Sequence, residues 1–309
     1  MDALEKSISV VTPVNEAIEK TRILLFKPFD MEKWLIIGFC AWLANLLRAG
    51  SGGGGGGGSG EKNPQAAQAM ASALEFARNH IIAISISVTL AVIFLAIILI
   101  LLMWLSSRGQ FMFLDCLAKN KAEVRNPWKI FKQRANSLLG FRLLMIAIGF
   151  AVMIIVGIPT GFIIIAAKSS AFSLAAAVVM IFFAILFFII VVCFFGFIQA
   201  STLDFVVPIM YLHGINAFAA WGKFLPVLKS HFWKLILYFL FKILIVICTT
   251  AITIAIFFIG CCFCCISVIL LIPYIGTVIL LPFPSFVRYY SLCFLRQFGS
   301  EFDVFTAAV

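Results

Sequence analysis

From residue 81 to residue 105 the chain carries no charged side chain. Roughly 20 apolar residues in a helix are enough to cross the hydrocarbon of a bilayer, so this run sets the class of fold. Further apolar stretches lie at about 31–48, 138–167, 172–198, 232–259 and 266–287, and the expected count is six. The first is the shortest, and it reaches across only if Lys33 and Arg48 extend their charged ends to the two interfaces. The third and fourth are divided by Lys168, Ser169, Ser170 and Ala171, and both are long enough to tilt. Pro273, Pro282 and Pro284 should bend or break the last. With 63% hydrophobic and 12% charged residues, against roughly 25% charged in a soluble domain, the bilayer is the solvent that fits. The expected fold class is all-α: a single integral membrane domain over residues 1–309, with six transmembrane helices and interfacial amphipathic helices.

The net charge of +10 points to the membrane surface rather than to nucleic acid, because the basic residues sit in short loops between apolar runs. On the six-span layout, 19 of the 23 Lys and Arg fall on one side, and only Arg48, Lys62, Arg78 and Lys168 on the other. The positive-inside rule then places both termini in the cytoplasm, with the anionic inner leaflet as partner. The acidic residues Asp2, Glu5, Glu16 and Glu19 interrupt the N-terminal segment. That segment does not resemble a cleavable signal, and the first span is expected to direct insertion itself.

The outer loop at 50–62 holds seven consecutive glycines, Gly52 to Gly58, and reads as a flexible coil. Residues 66–79 should continue as helix into the second span. On the opposite side the loops share a plan. Asn126 and Pro127 open a helix on which Trp128, Phe131 and Ala135 share one face. Phe218, Trp221, Phe224, Leu225 and Leu228 form a second apolar stripe. Residues 14–26 are a poorer version of the same pattern. Trp128, Phe131, Trp221 and Phe224 are the expected interfacial anchors. Each such helix leads into a hairpin, so the chain reads as three repeated units. The plainer account is that any cytoplasmic loop of a membrane protein places Trp and Lys near the interface.

The opening KTRILLFKPFDMEKWLIIGFCAWLANLL, the glycine-rich loop and the WxxF segments resemble a group of uncharacterised prokaryotic six-helix membrane proteins. These are similar in layout to the membrane domain attached to some glycerophosphodiester phosphodiesterases. The resemblance implies a six-helix fold in a prokaryotic cytoplasmic membrane and a link to lipid. It does not carry over the phosphodiesterase activity, which belongs to a soluble barrel.

Candidates for chemistry are few. Cys261, Cys262, Cys264 and Cys265 could hold zinc, pair as disulfides or simply pack, and packing is favoured because neighbouring cysteines on a helix do not converge. His80, His213 and His231 form no site, and no nucleophile elbow, zinc-binding His pair or phosphate loop is present. No catalytic, cofactor or metal residue is assigned, and an enzyme is not expected. Charges at membrane depth are the better lead. Asp115, Arg142 and the glutamines Gln110 and Gln199 belong to that set, and Arg108, Asp204, Lys242 and Arg288 are the expected polar cluster, able to meet a lipid phosphate. The function expected is lipid-handling or envelope-related, with protein partners unspecified. The alternative is a transporter or channel, to which Gly157, Pro159, Gly161 and Pro273 would contribute broken helices.

Overall fold

The computed structural model describes residues 8–49, 80–166, 174–262 and 272–306, and these are helical throughout apart from short connections. In chain order the helices are α1 Thr12–Phe26, α2 Met31–Ala49, α3 Ile81–Lys119, α4 Arg125–Ile130, α5 Lys132–Ala166, α6 Leu174–Ser201, α7 Val207–His213, α8 Ala217–Ser230, α9 Phe232–Cys262, α10 Pro273–Ile279 and α11 Pro282–Leu295. A π-helical turn, Thr202–Val206, joins α6 to α7 without a break, and two 3₁₀ turns follow α11.

Among the described residues four helices are long and apolar enough to cross a membrane: α3, α5, the α6–α7 rod and α9. The other two expected spans need correction. Residues 31–48 do form a helix, α2, but Glu32, Lys33 and Arg48 crowd a 19-residue element. That leaves too little uncharged length for hydrocarbon, and α2 packs on protein instead. Residues 272–287 divide between α10 and α11, with Pro282 and Pro284 opening the second helix. Residues 266–271 of that stretch lie outside the described residues, as do the glycine-rich loop at 50–62, residues 66–79 and Cys264 and Cys265.

The four long helices have two parts. In α3, Ile82, Phe94 and Leu101 are among many exposed apolar side chains before residue 102, whereas from Met103 to Leu117 nearly every residue is buried. At 1.5 Å per residue α3 is about 58 Å long, against about 30 Å of bilayer hydrocarbon. The exposed arm alone is long enough to fill the membrane, and the remainder is the wall of a packed base. The arms of α5, α6 and α9 are similarly bare. Leu, Ile, Val and Phe each gain about 0.3–0.6 kcal/mol at mid-bilayer, so lipid contact stabilises what would be ruinous in water.

The base is where the shorter helices pack. Asp30 caps α2 through the amide N–H of Glu32 at 2.9 Å, and α2 runs antiparallel to the inner part of α3. Lys33 Nζ donates to Asn120 Oδ1 at 2.9 Å at one end, and near the other Ser106 Oγ and Gln110 Nε2 donate to the Ala44 carbonyl at 3.0 and 2.7 Å. α10 covers α2, its Val278 carbonyl accepting from Trp34 Nε1 at 2.6 Å. α1 lies on α11, burying Ala17, Leu24 and Leu25.

The helices preceding α2, α5 and α9 are α1, α4 and α8. α4 begins one residue before Asn126, so Asn126 is not its N-cap; its side chain contacts that of Glu123. α5 runs unbroken through Pro159, and the expected break at 157–161 does not occur.

Candidate functional site

The arms of α3, α5, α6 and α9 each end, on the base side, at one ionisable residue: Arg108, Arg142, Asp204 and Lys242. Arg288 of α11 joins them. All but Lys242 are buried, and Lys242 is half-buried. These five residues form a charged collar at the floor of the apolar arms.

Local sequence places each one. Pro208 lacks the N–H that would reach the Asp204 carbonyl one turn back, and its ring crowds that carbonyl. The helix widens into the π turn there, a feature frequent at functional sites. Within this turn the Leu203 carbonyl accepts a hydrogen bond from Arg288 Nη1, and the Asp204 carboxylate pairs with Lys242 Nζ. Tyr238, one turn before Lys242 on α9, donates its hydroxyl to the same Asp204 Oδ2 at 3.2 Å. Its ring is stacked on Phe294 at 4.4 Å and on Tyr290 at 5.4 Å, which fixes the hydroxyl's aim. Arg142 Nη1 donates to Ser107 Oγ at 3.0 Å, tying α5 to α3, and Arg142 lies within electrostatic reach of Arg288.

Three of the four residues expected to cluster, Asp204, Lys242 and Arg288, therefore meet around the π turn. Arg108 goes elsewhere. Its guanidinium lies 4.4 Å from the ring of Trp104, one turn back on α3, and 4.7 Å from that of Trp128 on α4. A cation over an aromatic face gains about 0.5–2 kcal/mol, and here two nearly perpendicular rings provide the faces. Arg142 takes the place in the cluster expected of Arg108. Tyr238 and Ser107 belong to the cluster as well; the i,i+4 spacing of Tyr238 and Lys242 was the available signal for the first, and nothing marks the second.

Among the expected anchors, Phe131 and Phe224 point into the base, at 6% and 0% exposure, while Trp128 and Trp221 are half-buried. The apolar side chains that α4, α8 and the start of α9 leave outside are Ile130, Phe218, Leu225, Phe232 and Trp233. Asp115 forms a separate network, accepting from Tyr211 Oη at 2.7 Å and pairing with Lys119 at 2.8 Å. Two clefts open on the base. One of about 330 Å³ lies between Thr12, Glu16, Cys293 and Arg296, and one of about 400 Å³ between Asp30, Lys33, Asn120 and Glu123. Neither is lined by a collar residue. Among the described residues no group of His, Cys, Asp and Glu is placed to hold a metal ion.

Around the π turn the Asp204 carboxylate pairs with Lys242, Arg288 is hydrogen-bonded beside it at the Leu203 carbonyl, and Arg142 is held by Ser107. Such an arrangement can hold an anion or bind helices together. No curated protein and no solved structure matches the chain. A family of unknown function does match, over residues 8–275, and it provides no link to the glycerophosphodiester phosphodiesterases. A chain with four helices able to cross a membrane, matched over most of its length, thus belongs to that family, DUF7544.

Proposed function

We propose that the protein is a non-enzymatic multi-pass protein of a prokaryotic cytoplasmic membrane, with both termini inside, that acts on anionic lipid as a lipid-handling or envelope factor. The observation that carries this reading is the division of each long helix at a single charge. When uncharged arms fill the hydrocarbon, the collar and the basic base come to headgroup depth. The loops joining α3 to α5 and α7 to α9 lie at that end, and their Lys129, Lys132, Lys223 and Lys229 are exposed. Each lysine near an anionic surface contributes about 1 kcal/mol of attraction.

Transport is less well supported. The arm hydroxyls of Ser85, Ser87, Thr89, Thr160, Thr249 and Thr253 donate back to carbonyls of their own helices, so their protons are engaged within the helix rather than turned to a solute. The test is lipid selectivity. Full-length protein is placed in nanodiscs of phosphatidylcholine with and without phosphatidylglycerol, and retained lipids are weighed by native mass spectrometry. Phosphatidylglycerol should be enriched, and changing Lys129, Lys132, Lys223 and Lys229 to Glu should abolish the enrichment. A retained complement equal to the bulk lipid would overturn the proposal. Orientation is tested by cysteines introduced at Ser59 and Lys129, which should label from opposite faces.

A further inference from the structure

We infer that Arg142 and Arg288 form an interior binding site for a phosphate-class oxyanion, distinct from the exposed lysines on which the lipid-surface reading is tested. Among the described residues the Arg142 guanidinium donates to the Ser107 hydroxyl and that of Arg288 to the Leu203 carbonyl. The remaining donors are the anomaly. Nε of Arg142 and both Nε and Nη2 of Arg288 are sealed from solvent and meet no acceptor among the described residues. The two residues are 4% and 7% exposed.

Buried N–H groups are nearly always satisfied, and two guanidinium charges brought together away from water repel. The carboxylate that could relieve them, Asp204, is already engaged by Lys242 and the Tyr238 hydroxyl. Among the described residues neither Arg142 nor Arg288 forms an ion pair with a carboxylate. Other buried atoms are unmatched as well: Arg108 Nε and Trp221 Nε1 on α3 and α8, and, close in the chain to the pair and the π turn, the hydroxyls of Ser285, one turn before Arg288 on α11, and of Ser201, which immediately precedes the π turn. Guanidinium forks and hydroxyls are the donor set that suits a tetrahedral oxyanion with several acceptor oxygens.

A phosphate group meets that description, whether free or as a lipid headgroup presented from the arm side. Because the donors are sealed, the helices around them must part to admit it. Slow exchange follows, and the ligand should stay with the protein through purification.

The test measures retained phosphorus. Protein purified in detergent is analysed by native mass spectrometry and for total phosphorus. Its thermal unfolding is then followed with 10 mM inorganic phosphate added, and in phosphatidylglycerol nanodiscs. Expected are about one phosphorus-bearing ligand per chain and a rise in melting temperature of several degrees. Arg142→Gln and Arg288→Gln should lose both, and Arg125→Gln, at an exposed arginine of α4, should keep both. A phospholipid mass assigns the site to a headgroup, and an effect of inorganic phosphate alone assigns it to the free anion. Should the Gln variants fail to fold, Arg142→Lys and Arg288→Lys keep the charge without the fork and should bind at least tenfold more weakly. Wild type that retains no phosphorus and is not stabilised by either probe, or variants that bind as wild type does, would overturn the site. The quadruple Lys→Glu variant should retain this ligand even after losing bulk lipid selectivity, so the two proposals fail separately.

Discussion

Gly109 of α3 lies against the backbone of α2, so that a methyl group added there would sit 2.5 Å from the Ala44 amide nitrogen. The obstacle is main chain, which cannot rotate away. Small residues at helix crossings let backbones approach closely, and Cys40, Ala41 and Ala44 supply the matching small side on α2, while Gly38 faces Val278 of α10. Gly109→Ala is expected to destabilise the base by about 1–3 kcal/mol. Gly140→Ala, with nothing within 4 Å, should be neutral or gain up to about 1 kcal/mol of helix propensity. Thermal unfolding in detergent compares the two, and equal melting temperatures would show that this crossing is absent.

Among the described residues Asp204 is the carboxylate that pairs within the collar, with Lys242. Breaking a buried ion pair from one side leaves an uncompensated charge and costs about 3–5 kcal/mol. Asp204→Asn should therefore lower the melting temperature sharply. Asp204→Asn with Lys242→Met, which removes both charges, should recover part of the loss. Additive effects in this double-mutant cycle would mean that Asp204 and Lys242 do not interact.

Cysteine accessibility separates arms from base. Cys193 and Cys248 are exposed on the arms of α6 and α9, whereas Cys40, Cys116 and Cys293 are buried. In sealed vesicles a charged methanethiosulfonate should spare all five: lipid shields the first two and protein the other three. Detergent should release Cys193 and Cys248 alone, and denaturation the rest, as resolved by peptide mass spectrometry. Rapid labelling of Cys248 in intact vesicles would remove its arm from the membrane.

The thiol of Cys293 adds a pH dependence. Burial, helped by the Glu16 carboxylate, pushes it up to about 12 from an ordinary 9.0. The folded state holds this proton more tightly than the unfolded chain does. Its contribution is whole below pH 9 and is lost between pH 9 and 12. Replacing Cys293 with Ala should flatten the alkaline fall in stability by about one proton's slope, measured as melting temperature against pH. A parallel fall in both proteins would contradict the assignment.

The arms were legible because they are uncharged, and a run without charge has one solvent available to it. The collar was legible as a set of charges at span ends, but its pairing was not. Arg108 and Arg142 look equivalent in the sequence, and only the tertiary placement of Trp128 beside Trp104 draws Arg108 away. α2 was misread as a span because apolar residues that pack on protein and apolar residues that face lipid have the same hydropathy. The distinguishing sign was its small-residue face, which matters only once Gly109 is known to lie opposite. Phe131 and Phe224 illustrate the same ambiguity: each sits on an amphipathic helix whose apolar face was assigned to lipid, and each packs inward. Phe218 and Leu225 take the outer side of α8 instead.

Arg108 bridges the two layers, since its helix is bare above it and packed below. The guanidinium between Trp104 and Trp128 holds α4 against α3, and its planarity lets both rings engage it, which an ammonium cannot match. Arg108→Lys keeps the charge and should still cost about 1–2 kcal/mol of that attachment. Without the planar guanidinium, Trp128 should move toward solvent, with a red-shifted emission and stronger acrylamide quenching in a variant retaining Trp104 and Trp128 as its tryptophans. Trp104 should instead respond to lipid brominated near the headgroup more than to lipid brominated near the chain ends, because it stands where the exposed arm meets the base. Stronger quenching of Trp104 by the deeper bromines would put the collar inside the hydrocarbon and displace the headgroup-depth assignment on which the lipid-surface proposal rests.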